Sequence, residues 1–285
     1  MTTILTPKTF PEAASLPIID IAPWLRDGDK KGRLSTSASL HAACLEYGFF
    51  YLNISSYVDA AEPLELARLA HEFFALPQEE KDSISLSKQD CARGYQRLKE
   101  NVTQGKGDSH EALDFYRPVE EPDKTKPLWG ENQWPTIPTF REKYEKWVHK
   151  MKNLGLIVME AMSVGLGMTP EEWQELRRQV DDSFWVMRVI VWEIWTNGLY
   201  NSTLHRVIHK GTNYRVSIPF FFEPNFTAVV KPLSAALRIQ EGLDTSGRIP
   251  GTIPQSHKKY EPTVYGEFLK AKVSGNFATG KGKYD

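Results

Sequence analysis

The sequence has little cysteine, no excess of charge of one sign and no long apolar run, and each absence excludes a class of protein. Its 285 residues include two cysteines, Cys44 and Cys91, so a disulfide framework is not expected and a reducing compartment is favoured. The formal net charge of −1 gives no field that would attract nucleic acid or anionic lipid. The most apolar stretch, at 154–168, is too short and too interrupted to span a bilayer.

The beginning of the sequence lacks a basic segment followed by an apolar run, so no secretory signal is predicted. Hydrophobic residues make up 41% and charged residues 25% of the chain, as in ordinary soluble globular proteins. A chain of this length can bury a core in one large domain or two modest ones. We therefore expect a cytoplasmic protein that binds neither nucleic acid nor membranes.

Helical patterns dominate the first part of the chain. Apolar residues recur at helical spacing in three ranges, which are 36–47, 63–77 and 138–168. The third range predicts a long helix with Pro138 near its first turn. A further helix is predicted directly after Thr169, whose side chain can cap it. The β-rich runs LPIIDI, FFYLNI and LDFYRPV predict short strands.

The pattern changes to strands after residue 182. Runs rich in β-branched and aromatic residues occur in SFWVMRVIV, STLHRVIH and RVSIPFFFEP, and the Asn-Gly dipeptide in TNGLY predicts a hairpin. Beyond these runs we predict a short helix, a loop rich in glycine and proline, and a helix at YGEFLKAKV. We therefore divide the chain into a mainly helical part at 1–182 and a β-rich part with a tail at 183–285.

Three side chains of the β-rich part have the chemistry of a metal or carboxylate site: His205, Arg215 and Ser217. Imidazole binds borderline metal ions well, and guanidinium is a planar fork that matches a carboxylate. Arg215 and Ser217 are two residues apart, so on a strand they face the same side. A lone histidine on a strand is more often structural, however, and Arg-x-Ser is common on a solvated face. On a predicted strand, four residues span about 13 Å, so His209 would be too far from His205 for both to bind one metal.

The order of several short segments is more specific than any one of them. LPIIDI, YGFFYLNI, FFALPQEEK, the Gly94-Tyr95 pair, FWVMRVI, WTNGLYNSTLHRV and YRVSIPFFFEPNF cover most of residues 16–232. In this order they resemble the iron(II)- and 2-oxoglutarate-dependent dioxygenases, in the branch that includes isopenicillin synthase. The resemblance implies an α+β fold, in which flanking helices pack on a double-stranded β-helix, or jelly roll.

The same resemblance implies a cofactor and a site. A facial triad of two histidines and one carboxylate would hold iron(II), written Fe(II), with His205 as the distal histidine ligand. Arg215 would hold the far carboxylate of the cosubstrate 2-oxoglutarate, and Ser217 would add a hydroxyl hydrogen bond. No catalytic residue is expected beyond the metal site. The implied reaction hydroxylates or desaturates a small organic metabolite, while 2-oxoglutarate and O2 give succinate and CO2.

The sequence lacks the family's His-x-Asp motif, seldom His-x-Glu, which would supply the other two iron ligands. None of its seven histidines is followed two residues later by Asp or Glu. In the family the motif lies between the MRVI strand and the WTNG hairpin, where Ile190 here runs directly into Val191 and Trp192. About five strands with their loops, on the order of 50–60 residues, would fill that position. We therefore expect an internal deletion that removes several core strands between residues 190 and 192 and leaves the jelly roll incomplete.

Three interpretations follow from these observations. The chain is an oxygenase of this family, or a catalytically inactive splice or gene-model variant that lacks two of three iron ligands, or a relative that oxidises its substrate without 2-oxoglutarate. Succinate release separates the first from the third, and iron binding separates both from the second. Because core strands without neighbours have open edges, self-association through exposed strands is also expected.

Overall fold

The computed structural model describes residues 15–100, 102–103, 106–107, 110–187, 199–200, 215–246 and 260–278. Its α-helices in these ranges are α1 (Ala22–Leu25), α2 (Lys30–Glu46), α3 (Ala61–Phe74), α4 (Gln78–Asp82), α5 (Phe140–Gly165), α6 (Pro170–Arg177), α7 (Ser234–Ser246) and α8 (Tyr265–Ala278). The helices predicted from apolar periodicity are thereby confirmed, including the helix at YGEFLKAKV. Among the described helices, none combines the length and the apolar character needed to cross a membrane.

The strands are short and pair two by two. They are β1 (Ile18–Asp20), β2 (Tyr51–Asn53), β3 (Gly94–Gln96), β4 (Val102–Thr103), β5 (Lys106–Gly107), β6 (Ala112–Asp114), β7 (Val229–Val230) and β8 (Thr263–Val264). β1 and β2 run parallel, whereas β3 pairs with β6, β4 with β5 and β7 with β8 in antiparallel fashion. The strands predicted in LPIIDI and FFYLNI are therefore present as three-residue elements, whereas β6 begins one residue before LDFYRPV and shares only Leu113 and Asp114 with it.

Helix α6 begins where the local sequence predicts. The Thr169 side chain accepts a hydrogen bond from the backbone N–H of Glu172 at 3.2 Å, and the Glu172 carboxylate accepts one from the Thr169 N–H at 2.9 Å. This reciprocal capping box satisfies two N–H groups that a helix leaves without an internal partner. Helix α5 differs from its prediction, because Thr139 adopts a left-handed conformation with φ of 63° and the helix begins only at Phe140. Pro138 thus precedes the helix and does not lie in its first turn.

Two clusters of buried side chains form most of the core, and each crosses residue 182. In the first, Trp173 of α6 packs with Phe184 and with Tyr265 of α8. In the second, Phe73 of α3 and Tyr144 of α5 pack with other aromatic and aliphatic side chains, among them those at 185 and 187. The helical and β-rich parts of the chain are therefore joined by shared hydrophobic packing.

A narrow antiparallel ladder follows residue 182. Val186 bridges Tyr116 on one side and Phe221 on the other. The Met187 N–H donates to the Phe115 carbonyl at 3.1 Å, and the N–H of Phe221 donates to the carbonyl of Val186 at 2.7 Å. The segment 183–187 thus lies between the continuation of β6 and the segment 221–224.

The prediction of a strand over all of 215–224 is wrong. Only Phe221 belongs to a bridge, and 215–220 is assigned no regular structure. The physical reason is that a strand exists only where a neighbour accepts and donates ladder hydrogen bonds, and the described residues beside 215–220 supply none. The remainder of SFWVMRVIV, the predicted Asn-Gly turn and STLHRVIH lie outside the described residues.

Helix α5 approaches α2 closely at Gly165. A Cβ atom built at this position would lie 2.6 Å from the Ser37 carbonyl oxygen and 3.1 Å from the His41 Cβ. Backbone oxygen cannot move aside as a flexible side chain can. The absence of a side chain at Gly165 is therefore required for this helix contact.

Replacing Gly165 by alanine is expected to destabilise the fold by about 1 kcal/mol or more. The overlap with α2 costs roughly 1–3 kcal/mol, whereas the better helix propensity of alanine offsets only about 1 kcal/mol. Urea unfolding of Gly165→Ala measures the difference. Gly242→Ala is the matched control, since Gly242 lies in α7 and a Cβ atom built there would have nothing within 4 Å, so this variant should be neutral or stabilising. Equal free energies of unfolding for the two variants would contradict the close approach.

Candidate functional site

Arg215 and Ser217, predicted to bind the cosubstrate, lie on one side of their segment. Both are exposed, whereas the alternate residues Val216, Ile218 and Phe220 are half-buried. Ile218 and Phe220 pack against the second core cluster, beside Trp185. The alternation that the sequence predicts is thus present, although the segment is not in a ladder. This alternation directs the Arg215 guanidinium and the Ser217 hydroxyl towards solvent.

His205, the predicted iron ligand, lies outside the described residues, as does His209. Within the ranges that the structure describes, no group of three His, Cys, Asp or Glu side chains could hold a metal ion. The sequence as a whole contains no His-x-Asp or His-x-Glu. The described residues therefore do not fit an iron(II) facial triad, and we derive no catalytic step through the metal. The side chains of Arg215 and Ser217 have the chemistry to bind a carboxylate, but both are exposed.

A buried ion pair fixes the turn that precedes β3. The side chains of Asp90 and Arg93 are both fully buried and contact each other directly. The Asp90 carboxylate also accepts a hydrogen bond from the Gly130 N–H at 2.8 Å, and the Arg93 guanidinium donates to the Arg117 carbonyl at 3.1 Å. Sequence reasoning missed this pair, because two isolated polar residues give no periodic signal.

A second polar group lies where β6 begins, beside the end of the antiparallel strand β3. The Lys81 ammonium is buried and donates to the Glu111 carboxylate at 2.8 Å and to the Phe74 carbonyl at 3.2 Å. The Tyr95 hydroxyl donates to the same carboxylate. Burial, and then the hydrogen bond to Glu111, raise the pKa of Tyr95 above its ordinary value. The three groups satisfy one another, so they stabilise this corner of the fold.

A third group surrounds Glu223, which sequence reasoning did not single out. Burial raises the pKa of its carboxyl to about 7, although a hydrogen bond from Tyr265 lowers it in part. The carboxyl lies at the beginning of α8, and the Glu223 N–H donates to the Ser183 hydroxyl at 3.1 Å. A carboxyl within the apolar run FFFEP was the signal that could have identified it.

Two parts of the chain match described protein families. Residues 16–137 match the N-terminal region of the non-haem dioxygenases described for morphine synthesis. Residues 151–224 match the 2OG-Fe(II) oxygenase superfamily. The second range contains both predicted cosubstrate residues and the predicted iron ligand.

Relatives and solved structures agree with these matches. The chain is 32% identical to homoarginine-6-hydroxylase 2-ODD-C23 of Glycine max, over 93% of this chain and 98% of the relative. It is 30% identical to homoarginine-6-hydroxylase 2-ODD-C23.1 of Arabidopsis thaliana, over 93% and 98%. Its fold resembles that of a full-length Neurospora crassa protein in complex with alpha-KG, with a TM-score of 0.66 and 17% identity over 91% of this chain and 96% of that one. A 2OG-Fe(II) oxygenase family protein of Caulobacter crescentus gives a TM-score of 0.67 with 19% identity over 92% and 99%.

The alignment to the Glycine max relative is longer than this chain. It spans 340 positions, whereas 93% of 285 residues is about 265 residues. About 75 aligned positions, the difference between 340 and 265, therefore contain no residue of this chain.

These findings confirm the family and the fold class. The fold is that of the 2OG-Fe(II) oxygenases, a double-stranded β-helix with flanking helices, and the described part of the chain has the helices with few strands. Fe(II) and 2-oxoglutarate are the cofactor and cosubstrate of this superfamily, whose members oxidise small molecules. The chain belongs to the iron(II)- and 2-oxoglutarate-dependent dioxygenases.

Proposed function

We propose that the function of this protein is the hydroxylation of small cationic amino acids, with homoarginine as the reference substrate. The observation that carries the proposal is that four relatives of 28–32% identity, each aligned over 92–93% of this chain, are homoarginine-6-hydroxylases. The reaction would consume 2-oxoglutarate and O2 and release succinate and CO2. Hydroxylation is thereby favoured over desaturation.

We further propose that Arg215 and Ser217 form the seat of the cosubstrate carboxylate and that His205 is an iron ligand. The exposed side that Arg215 and Ser217 share supports the first assignment. A guanidinium pairs strongly with a carboxylate when both are shielded from water. The seat is therefore effective only where a complete jelly roll covers it.

The segment that would cover it is, in our proposal, deleted between residues 190 and 192. Two observations support a deletion, and the position between residues 190 and 192 is the one that the family resemblance implies. The sequence has no His-x-Asp or His-x-Glu motif. In the alignment to the Glycine max relative, about 75 positions contain no residue of this chain. The alternative, that the chain is a catalytically inactive variant, differs only in whether a longer form exists.

The transcript across codons 188–193 tests the deletion, and turnover by the encoded protein tests the substrate. We expect an in-frame segment that encodes His-x-Asp, and succinate release by the longer protein with homoarginine that exceeds release with arginine or thymine. Mass spectrometry of the amino acid should show the addition of one oxygen atom. Succinate release with thymine and none with homoarginine would overturn the proposed substrate. If no longer transcript exists, the alternative applies, and the gene encodes a catalytically inactive variant.

Arg215→Ala is expected to have a small effect in the 285-residue chain and a large effect in a longer form. An exposed ion pair contributes only about 0–1 kcal/mol, so calorimetry with 2-oxoglutarate should change by less than about fivefold. In a covered site the charge-assisted pair contributes roughly 1.5–3 kcal/mol, which corresponds to a loss of about tenfold or more. Arg177→Ala, at an exposed position of α6, is the matched control. Tight binding by the 285-residue chain that Arg215→Ala abolishes would show that the seat needs no cover.

Location, domain division and assembly complete the proposal. We place the protein in the cytoplasm, supported by Cys44 and Cys91, which are both free. We retain the division into 1–182 and 183–285 as a proposal from the change of sequence pattern.

Self-association through open strand edges is proposed for the 285-residue chain, with no nucleic-acid or membrane partner. Light scattering over a range of protein concentrations tests it.

A further inference from the structure

The beginning of helix α8 is bound to the segment 223–230 by backbone hydrogen bonds. The Tyr265 N–H donates to the Ala228 carbonyl at 2.9 Å, and the Gly266 N–H donates to the Phe226 carbonyl at 2.8 Å. The strand β8 that leads into the helix pairs with β7. A Cβ atom built at Gly266 would lie 2.5 Å from the Phe226 ring, so the helix seats directly on this ring.

The Glu223 carboxyl lies beneath the beginning of α8. Tyr265 is 7% exposed, belongs to the first core cluster and forms a side-chain hydrogen bond with Glu223. Tyr116, on the continuation of β6, belongs to the same core cluster as Tyr265 and acts electrostatically on its hydroxyl. The segment 183–187 contributes the Ser183 hydroxyl, which accepts from the Glu223 N–H. Docked α8 therefore covers part of Glu223, which is half-buried in the structure.

Within the described part of the chain, no cation compensates the charge of Glu223. The groups that act on it are its burial and the Tyr265 hydroxyl. Arg93 lies over the ring of Tyr116, with its Cζ 5.1 Å from the ring centroid, but its guanidinium is paired with Asp90. Lys270 of α8 lies over Phe226, with its ammonium 5.4 Å from that ring centroid, and its salt bridge is with Glu267. A carboxylate at this half-buried position has no counter-charge, so it is more stable when the helix moves away and more water reaches it.

We propose that Glu223 makes the docking of α8 depend on pH, so that the helix is held more firmly when this carboxyl is protonated. The sign follows from proton binding. Burial raises the pKa of Glu223 to about 7 from 4.5, so the docked state holds a proton that the undocked state has released. Docking is then strongest below the ordinary carboxyl pKa, weakens as the pH rises from 4.5 to 7, and stays weak above that range.

Hydrogen exchange of the full chain at about pH 5.5 and about pH 8 tests the proposal. After correction for the intrinsic exchange rate, protection of the amides at 266–272 should fall by on the order of tenfold or more at the higher pH. Amides in the middle of α5 are the internal reference for global unfolding and should lose less protection. The proposal does not depend on the proposed substrate or on iron, because neither is present in the measurement.

Glu223→Gln supplies the decisive variant, since it keeps the size and hydrogen-bonding capacity of the side chain but cannot ionise. We expect equal α8 protection at the two pH values in this variant. Glu267→Gln, an exposed carboxyl in the first turn of the same helix, is the matched control and should retain the wild-type dependence. Tyr265→Phe is a second variant in case Glu223→Gln fails to fold, and it should increase the loss of protection at the higher pH. Wild-type protection that is the same at both pH values, or a pH dependence that survives in Glu223→Gln, would overturn the proposal.

Discussion

Purified 285-residue protein is expected to bind iron(II) weakly and to release no succinate above background. A facial triad needs two imidazoles and a carboxylate, and the family resemblance assigns only His205 to it in this sequence. No group of three candidate ligands occurs among the residues that the structure describes. One imidazole gives neither the affinity nor the fixed geometry that such a site requires.

The measurement combines metal analysis after desalting with a coupled succinate assay under air. We expect substoichiometric iron and a succinate rate equal to that of a His205→Ala variant, which removes the one assigned ligand. A longer form that contains His-x-Asp, if the transcript encodes one, should retain about one iron per chain and release succinate when substrate is added. Stoichiometric iron with substrate-dependent succinate in the 285-residue chain would mean that it uses a different ligand set.

Local signals explain why most helices could be predicted. The capping box at Thr169 and Glu172 depends on residues three apart, and its geometry follows from them alone. Apolar periodicity likewise located α3 and α5, because each helix must bury one face. The extra feature at α5, the left-handed Thr139, depends on how the preceding loop packs. It has no signature in the sequence.

Strands and the candidate site depend on distant parts of the chain, and there prediction was partial. RVSIPFFFEP has strand composition, but among the described residues only its Phe221 forms a strand bridge, to Val186, which is 35 positions earlier in the chain. The alternation of Arg215 and Ser217 with half-buried neighbours was predictable, because it needs only extended backbone. Their exposure was not, since it depends on whether other strands lie in front of them. Glu223 required knowledge that α8 folds back over it.

Asp90→Ala is expected to destabilise the protein by about 3–5 kcal/mol, because it leaves a fully buried guanidinium without its counter-charge. The same change removes the acceptor of the Gly130 N–H, which lies 40 positions further along the chain. The turn before β3 and the loop around Gly130 would then lose their common anchor. Such a loss is a large share of the stability of an ordinary domain.

Asp182→Ala is the matched control for this prediction. Its carboxylate also pairs with an arginine, accepting from Arg117 Nε at 3.0 Å and from its Nη2 at 2.6 Å, but the Asp182 side chain is 61% exposed. An ion pair in that setting contributes about 0–1 kcal/mol. Urea unfolding followed by circular dichroism should therefore separate the variants by at least about 2 kcal/mol. Comparable losses in the two variants would show that water reaches the Asp90–Arg93 pair and that its burial does not govern the stability of this part of the fold.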